Sequence, residues 1–460
     1  MAYGLRKDKA VLVYGLAGSG RAVVEKLAEA GMRLLVWDDK LAEMPEALRG
    51  LERVFWVPPA EIEWRDVQVL IKTPGVPMES DLVRAAQAAK VPVMGEIDLF
   101  WRREKASGAT FIGVTGTNGK STTTALIAHI LKSAGKQVLA GGNLGVPAMY
   151  LGELESGGFY VLELSSYQLE IMQEMALDGA VFLNLTPDHL ARHKTMESYR
   201  AAKQRIFDLA KPDATKVLGV DQLLLREIAA GTGAITVSVG GEAEVMVRDG
   251  AVWREGKQVL KLGDFVDLPG PHNAQNLACA FALLVPRWCS VAEFVAGAKS
   301  YRALPHRLEQ VGAVEGIRFI NDSKATNGDS AVYALQSYPA IYWICGGQPK
   351  TDGLGACVEH LGAVRAAFTI GEAGEDFAAT LQKRGVAAFV SGTMERAVVE
   401  AFAAAKSDVG KGPVVLLSPA CASFDQFRNF EHRGDVFANC VRGLIQDGEP
   451  APRRKKDSEA

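Results

Sequence analysis

Short apolar runs alternating with helical stretches set the pattern of this chain. Ala10–Tyr14 (AVLVY) is continuously apolar and runs into a glycine-rich turn, residues 15–20 (GLAGSG). A helix-period pattern follows from Arg21 to a natural stop at Gly31, and residues 34–37 read as the next strand. Strand, turn, helix and second strand make a βαβ unit, the start of a parallel sheet. Residues 69–77 (VLIKTPGVP) repeat the strand-to-loop transition, with Pro74-Gly75 enforcing the turn.

A second block opens with residues 110–114 (TFIGV), passes through TGTNGKSTTT and enters a helix that runs to about Ala134 and stops at Gly135. Strand-like runs recur at 138–140, 160–164 and 180–185. Residues 216–267, richer in Gly, Val and alternating polar positions, predict a small antiparallel excursion. LPGPHNAQNLACAFALLV (268–285) then turns sharply into a helix. A third block begins near Leu304-Pro305, with strands expected at 318–320, 341–344, 367–370, 388–390 and Val414–Leu417, and helices between them such as 394–406. No internal repeat interrupts the series. The predicted fold class is α/β in three consecutive domains. Residues 1–105 form a Rossmann-like domain, 106–303 a P-loop ATPase domain around a parallel sheet, and 304–448 a second Rossmann-like domain, with 449–460 a disordered tail.

Length supports that division, since 460 residues at about 150 per domain is about three domains. Hydrophobic residues make up 48% and charged residues 23%, enough apolar surface for several cores. Fifty-one Lys and Arg against 54 Asp and Glu leave a net charge of -3, so no basic field invites a nucleic-acid backbone. No apolar run is long enough to predict a membrane-spanning helix, and the first residues pass from charged positions straight into a strand, unlike a signal peptide. The six cysteines form no C-x-x-C pair. They read as buried small hydrophobes in a reducing compartment, which predicts a cytoplasmic protein.

Gly116-Thr117-Asn118-Gly119-Lys120-Ser121-Thr122 lies between an apolar strand and a helix N-terminus. Glycines let backbone N–H groups converge on phosphate oxygens, and the helix dipole favours the anion. Lys120 is then placed for the β- and γ-phosphates, and the hydroxyl of Ser121 or Thr122 for Mg2+. The strict phosphate-loop spacing would need a glycine where Val114 stands, so a plain βα turn with a surface lysine is the competing reading. Glu163, within FYVLELSS (159–166), emerges from an apolar strand as a Walker-B-type carboxylate does, or else faces solvent from an edge strand. Asp188-His189 follows the 180–185 strand at the same end of the sheet, where open α/β sheets bind ligands. Taken alone, His189 reads as a capping or surface histidine. In the first block Asp38 ends the second strand, 23 residues after Gly15, but Ala17 replaces the second glycine of a G-x-G-x-x-G fingerprint.

In order, TGTNGKSTTT, the Glu163 strand, NLTPDHLARH, AAKQRIF, LPGPHNAQNLACA, LPHRLE and NDSKATN closely resemble the Mur ligases, the ATP-dependent amide-forming enzymes of peptidoglycan precursor synthesis. The resemblance covers nearly the whole chain apart from the tail. GGNLGVP (141–147), DHLARH and SPACASFDQFRNFEHRG (418–434) are similar to the branch that adds D-glutamate to UDP-N-acetylmuramoyl-L-alanine. The DNPR-type and HHPTE-type motifs of the diaminopimelate- and alanine-adding branches do not occur. The resemblance implies that ATP phosphorylates the substrate carboxylate, the glutamate amine attacks the acyl phosphate, and a tetrahedral intermediate loses phosphate, with two Mg2+ ions neutralising the crowded anions.

Residue by residue, the resemblance implies an ATP site from Gly116, Thr117, Asn118, Gly119, Lys120, Ser121 and Thr122, with Asn273 and Asn276 on the adenine side, Asp322 at the ribose and Arg307 at the phosphates. It implies metal ligands Ser121, Glu163 and His189, and a Lys203 carbamylated by CO2 that helps place the second Mg2+. From the residues alone, Lys203 in SYRAAKQRIF reads as an exposed helical lysine. Lys120, His189, Lys203, Arg307 and Lys324 carry the implied catalytic roles, with His306 beside Arg307 at a domain join. Ser19, Asp38, Thr73, Asn143 and His189 match the UDP-substrate side, and Thr326, Lys350, Ser423 and Phe430 the glutamate side. In two places the pattern departs: GGQPKTDG around Lys350 replaces GG-D-x-K, and Lys40 stands where relatives carry arginine. On their own residues, Asn273 is also a helix cap and Asp322 a turn stabiliser. Competing functions are a relative adding L-glutamate or another amino acid, a dehydrogenase built on the βαβ unit, and a P-loop switch without ligation. A monomer is expected.

Overall fold

The computed structural model, which describes residues 3–143, 145–349 and 353–448, turns each apolar run into a strand. The first five are β1 (Ala10–Tyr14), β2 (Arg33–Trp37), β3 (Val54–Trp56), β4 (Val67–Lys72) and β5 (Val93–Met94). They form a wholly parallel sheet in the order β3-β2-β1-β4-β5. Central β1 is buried along its whole length, which is why its sequence is continuously apolar rather than alternating. Winding reverses between β1 and β4, and Gly15 and Thr73 follow the carboxyl ends of those two strands, the position at which doubly wound sheets take ligands.

The helix Gly18–Glu29 begins inside the expected glycine turn. Ala17 is its N-cap with φ -67° and ψ -174°, an extended conformation that needs no glycine. Gly20 does need to be one: a Cβ there would lie 1.9 Å from the Gly15 carbonyl oxygen and 2.9 Å from Thr73 Cγ2. The irregular fingerprint therefore keeps a glycine where backbone meets backbone and drops one where nothing demands it.

The second sheet comprises β6 (Thr110–Thr115), β7 (Val138–Gly142), β8 (Phe159–Glu163), β9 (Leu177–Phe182), β10 (Ala210–Gly219), β11 (Ile235–Val239), β12 (Val245–Arg248), β13 (Ala251–Arg254) and β14 (Lys257–Lys261). Its order is β14-β13-β12-β11-β10-β9-β6-β8-β7. Only β12-β13 and β13-β14 pair antiparallel. The excursion expected over 216–267 is therefore antiparallel only at its end. β10, β11 and β12 extend the parallel sheet, with the helix Leu223–Thr232 as the crossover that lets β11 run parallel to β10.

These two sheets share one continuous core. The helix Glu96–Glu104 inserts Ile97, Leu99 and Phe100 among Val11, Val13, Phe111, Met149, Tyr160 and Leu162. The Phe100 ring meets that of Tyr160 edge-on at 5.0 Å. Asp98, on the same helix, accepts the N–H groups of Gln173 (2.8 Å) and Glu174 (3.0 Å).

A third sheet holds β15 (Glu309–Val314), β16 (Ile317–Asn321), β17 (Ile341–Gly346), β18 (Val364–Ile370), β19 (Ala387–Gly392) and β20 (Val414–Leu417), in the order β15-β16-β20-β17-β18-β19. All its pairs are parallel except β15-β16. One face packs Trp343, Leu416 and Phe377, the other Phe319, Ile344 and Phe437. By contacts the chain forms two compact units, Met1–Leu262 with Gln275–Ser300, and Gly263–Ala274 with Tyr301–Ala460. The first holds the first two sheets and the second holds the third. Among the described residues no helix is long and apolar enough to cross a membrane, and none of the six cysteines is in a disulfide, five of them being buried.

Candidate active site

In the first unit β6 leads straight into the phosphate loop, and the helix Lys120–Ser133 starts at its end. Gly119 is the N-cap at φ +79°, a left-handed conformation, and a Cβ there would stand 2.3 Å from Asn276 Oδ1. Gly119 and the buried Asn276 are thus in close contact. Lys120 Nζ folds back to donate to the Thr117 carbonyl at 2.8 Å.

Asn184, two residues past β9, holds the loop in shape. Its carbonyl accepts the Thr117 N–H (3.0 Å), its Oδ1 accepts the Asn118 N–H (2.9 Å), and its Nδ2 donates to the Asn118 carbonyl (3.2 Å) and to Gln275 Oε1 (3.0 Å). Gln275 in turn donates to Asp221 Oδ2 at 2.6 Å. Sequence reasoning missed Asn184, Gln275 and Asp221, although Asn184 opens the quoted NLTPDH.

Glu163 ends β8 between β6 and β7, in the sheet interior and buried, not on a solvent-facing edge. Its Oε1 accepts Asn143 Nδ2 at 2.7 Å, and its Oε2 is buried with no hydrogen-bond partner. A buried carboxylate oxygen left open is costly unless something cationic meets it, which suits a hard cation such as Mg2+. Among the described residues no group of three His, Cys, Asp or Glu is placed to hold a metal. A cation here would draw on Glu163, the Ser121 hydroxyl and phosphate oxygens.

Lys203 is not the exposed helical lysine its residues suggest. The helix Met196–Asp208 turns it inward until only 1% is exposed, with Nζ donating to the Gly116 carbonyl at 2.6 Å and lying 4.7 Å from the Tyr199 ring centre. Burial, reinforced by the charge of Lys120, pushes its pKa well below the usual lysine value. His189, in the left-handed region at φ +54°, is half-exposed, with its ring 5.0 Å from that of Tyr167 and Nε2 3.5 Å from Asp188 Oδ2. Burial lowers its pKa against the opposing pull of Asp188, and Lys203 and Lys120 lower it further. Lys203 and Asn276 thus contact the 116–122 loop, Asn143 is paired with Glu163, whose charge acts on Lys203, and His189 lies within the charge field of Lys120 and Lys203.

At the first sheet, Asp38 accepts the N–H groups of Leu16 (2.7 Å) and Lys40 (2.9 Å), closing the turn after β2. Thr73 is buried, its hydroxyl on the Tyr14 carbonyl (3.3 Å). Ser19 lies beside Glu96, a buried carboxyl pushed up to about 7 by desolvation and a further residue that sequence reasoning missed.

In the second unit, Asp322 follows β16 and is buried. Its Oδ1 accepts the Leu308 N–H (3.3 Å) and its Oδ2 the Ser418 hydroxyl (2.8 Å), while burial pushes its pKa up to about 7. The Lys324 ammonium lies 4.0 Å from the Phe430 ring centre. His306 Nδ1 is 3.0 Å from Asn321 Nδ2, and its carbonyl accepts the Lys324 N–H (3.1 Å). Ser423 is buried after β20, whereas Arg307 and Thr326 are half-buried. Asn273 lies inside the helix Pro271–Leu284, past its N-cap position, and its Nδ2 donates to the Pro269 carbonyl (2.9 Å). Lys350 and residues 449–460 lie outside the described residues. His306, Asp322, Lys324, Ser423 and Phe430 therefore gather at the carboxyl ends of β16 and β20.

Residues 114–284 match the family model described as Mur ligase middle domain, and residues 306–421 the one described as Mur ligase, glutamate ligase domain. The UDP-N-acetylmuramoylalanine–D-glutamate ligase of Paramagnetospirillum magneticum is 42% identical over 459 residues, spanning 96% of this chain and 98% of its own. The protein of the same name from Caulobacter vibrioides is 40% identical, over 97% of this chain and 98% of its own. Among solved structures, the UDP-N-acetylmuramate-alanine ligase MurC of Thermotoga maritima aligns with a TM-score of 0.59 at 21% identity, over 95% of this chain and 99% of that one. The MurF ligase of Thermotoga maritima in complex with ADP gives 0.57 at 16% identity, over 96% of each. Those two likenesses are of fold, while the first two extend to sequence along nearly the full chain. The chain belongs to the Mur ligase family.

Proposed function

We propose that this protein joins D-glutamate to UDP-N-acetylmuramoyl-L-alanine at the expense of ATP, a step of peptidoglycan precursor synthesis, acting as a monomer in the cytoplasm. The ligase chemistry rests above all on the buried Lys203 and the open oxygen of Glu163 beside the phosphate loop. The choice of D-glutamate rests on relatives of that name matching the chain almost end to end. Three segments divide the work: residues 1–105 for the UDP substrate, 106–303 for ATP and 304–448 for the amino acid.

A carboxylate and an amine do not condense in water because the carboxylate oxygen is a poor leaving group. Transfer of the γ-phosphoryl group makes that oxygen part of a good one, and the chain must then hold several anions together. Lys120 exchanges its contact with the Thr117 carbonyl for phosphate oxygens, while loop N–H groups from Gly116 to Thr122 cradle the rest. Ser121, Glu163, His189 and a carbamylated Lys203 hold Mg2+, which when bound neutralises phosphate charge. The lowered pKa of Lys203 favours its neutral amine, the form that adds to CO2, and carbamylation of that amine gives a buried anion with release of one proton. Asn273 and Asn276 serve the adenine, Asp322 the ribose, and Arg307 and Lys324 the transferring phosphate. Ser19, Asp38, Thr73 and Asn143 take the UDP-linked substrate. Thr326, Lys350, Ser423 and Phe430 take glutamate.

The test is phosphate release with UDP-N-acetylmuramoyl-L-alanine, ATP and Mg2+, comparing D-glutamate, L-glutamate and no amino acid. Release with D-glutamate alone is expected. Release with L-glutamate alone keeps the chemistry and changes the substrate, and silence with both refutes the ligase assignment.

A further inference from the structure

Arg433 stands one turn into the helix Phe430–Gly448 of the second unit and is fully buried, at 0% exposure. Its Nε donates to Ser323 Oγ (2.9 Å), its Nη2 to the Ser323 carbonyl (2.8 Å), and its Nη1 to the carbonyls of Cys421 (3.0 Å) and Ala422 (3.1 Å). The Ser323 hydroxyl itself donates to the Phe430 carbonyl at 2.8 Å. One guanidinium thus joins three stretches: the first turn of the last helix, the loop after β20 that leads into it, and the turn after β16, 110 residues earlier.

Each stretch carries a residue given a substrate role above. Lys324 follows Ser323, Ser423 follows Ala422, and Phe430 opens the helix with its ring under the Lys324 ammonium. The rest of the 418–434 loop is tied down as well. The Gln348 N–H donates to the Ala422 carbonyl (3.0 Å), the Glu372 N–H to Asp425 Oδ2 (3.0 Å), and Gln426 Nε2 to the Gly392 carbonyl (2.9 Å). Burial lowers the Arg433 pKa to about 10, which leaves it cationic at neutral pH. Taking a guanidinium out of water is unfavourable, and an apolar side chain would fill the space without that cost. What only a planar fork provides is several donors at fixed angles to separate loops.

We propose that Arg433 is a positioning residue for the incoming amino acid: its fork sets the spacing of Lys324, Ser423 and Phe430 without touching substrate. This rests on the assignment of those three residues to the reacting phosphate and glutamate. Arg433→Lys keeps the charge and loses the fork, and Ser323→Ala removes the shared hydroxyl with less risk to folding. Both variants and the wild type are assayed as the full chain, by steady-state phosphate release and by hydrogen exchange. In Arg433→Lys the KM for D-glutamate rises about tenfold or more, as the loss of a charge-assisted hydrogen bond implies, while the KM for ATP stays within about twofold. Ser323→Ala moves the same constant in the same direction, and the double variant is less than additive. Exchange rises at residues 322–326 and 421–424 while β17 and β20 stay protected.

Equal rises in both KM values, or a lowered Tm with the KM for D-glutamate unmoved, would overturn the proposal, and so would unchanged exchange at the two loops. Should Arg433→Lys fail to fold, Ser323→Ala decides the matter by the same readouts. A wild type that releases no phosphate with D-glutamate would sink the glutamate reading itself, and the exchange data would still say whether Arg433 sets the two loops.

Discussion

Replacing Asp322 with Asn is a test whose outcome depends on pH. The carboxyl is buried, and desolvation pushes its pKa from 3.8 up to about 7 against the contrary pull of the Ser418 hydroxyl, the Leu308 N–H and the charges of Arg307 and Arg433. A carboxyl whose folded pKa exceeds its unfolded one gains protons on folding. Its contribution is therefore most favourable below the unfolded value and is lost as pH rises through the folded one. At about 1.4 kcal/mol per pH unit, the interval from 3.8 to about 7 amounts to a penalty on the order of 4 kcal/mol, complete above about pH 7 and roughly half developed at about pH 5.5. The amide introduced by Asp322→Asn keeps the shape and cannot ionise, so the variant gains on the wild type by about 2 kcal/mol between about pH 5.5 and about pH 8.5. Because a chain of two units need not unfold in one step, the assay is hydrogen exchange at β16 and β20, corrected for intrinsic rates and read as a free energy of opening. A difference that stays flat across the range, or shrinks as pH rises, would refute the reasoning.

Gly119→Ala places a methyl against Asn276 in a left-handed conformation, so ATP affinity falls and the first unit loses about 1–3 kcal/mol, measured by calorimetric titration and urea unfolding. Glu163→Gln keeps an acceptor for Asn143 and removes the charge, so half-saturation by Mg2+ rises about tenfold or more in the phosphate-release assay. Nucleotide binding without metal should change little in that variant, and a Mg2+ dependence like the wild type's would remove Glu163 from the metal site. Asn184→Ala strips three side-chain hydrogen bonds from the phosphate loop and its support, for a cost of about 2–3 kcal/mol. The KM for ATP should rise more than that for D-glutamate, and equal effects on both would show a general loss of structure instead.

The central strands of the sheets were legible because they are buried on both faces, and a continuous apolar run bounded by glycine or proline carries that signal within a few residues. Strands such as 110–114, 341–344 and Val414–Leu417 accordingly appear within three residues of their expected ends. The phosphate loop was legible for a similar reason, since strand, glycines and lysine are local. Partnership across the chain was not. Nothing in SYRAAKQRIF tells which face of the helix meets the Gly116 carbonyl, so the residues alone leave Lys203 outside. Asn184, Gln275 and Asp221 form one chain of hydrogen bonds from three separated segments, and each alone is an ordinary polar residue. Arg433 sits in the quoted EHRG with no local sign that its fork closes on Ser323, 110 residues earlier. The parallel pairing of β11 and β12 also eluded a pattern reading, because alternation marks a strand without stating the direction of its neighbour.

The core that runs without a break from the first sheet into the second has a consequence for how this molecule can vary by recombination. Phe100 of one segment and Phe111, Met149 and Tyr160 of the next must be chosen together, because they fill the same volume. A crossover between relatives near residue 105 would join two half-cores that were never selected against each other, leaving voids or collisions at that seam. The first sheet is therefore not a cassette for nucleotide-sugar specificity, although its strand order invites that use. A transplant that respects the packing carries β1 to β14 together with Gln275–Ser300 as one inherited block, and takes its junctions where the chain passes between units, after Leu262, Ala274 and Ser300.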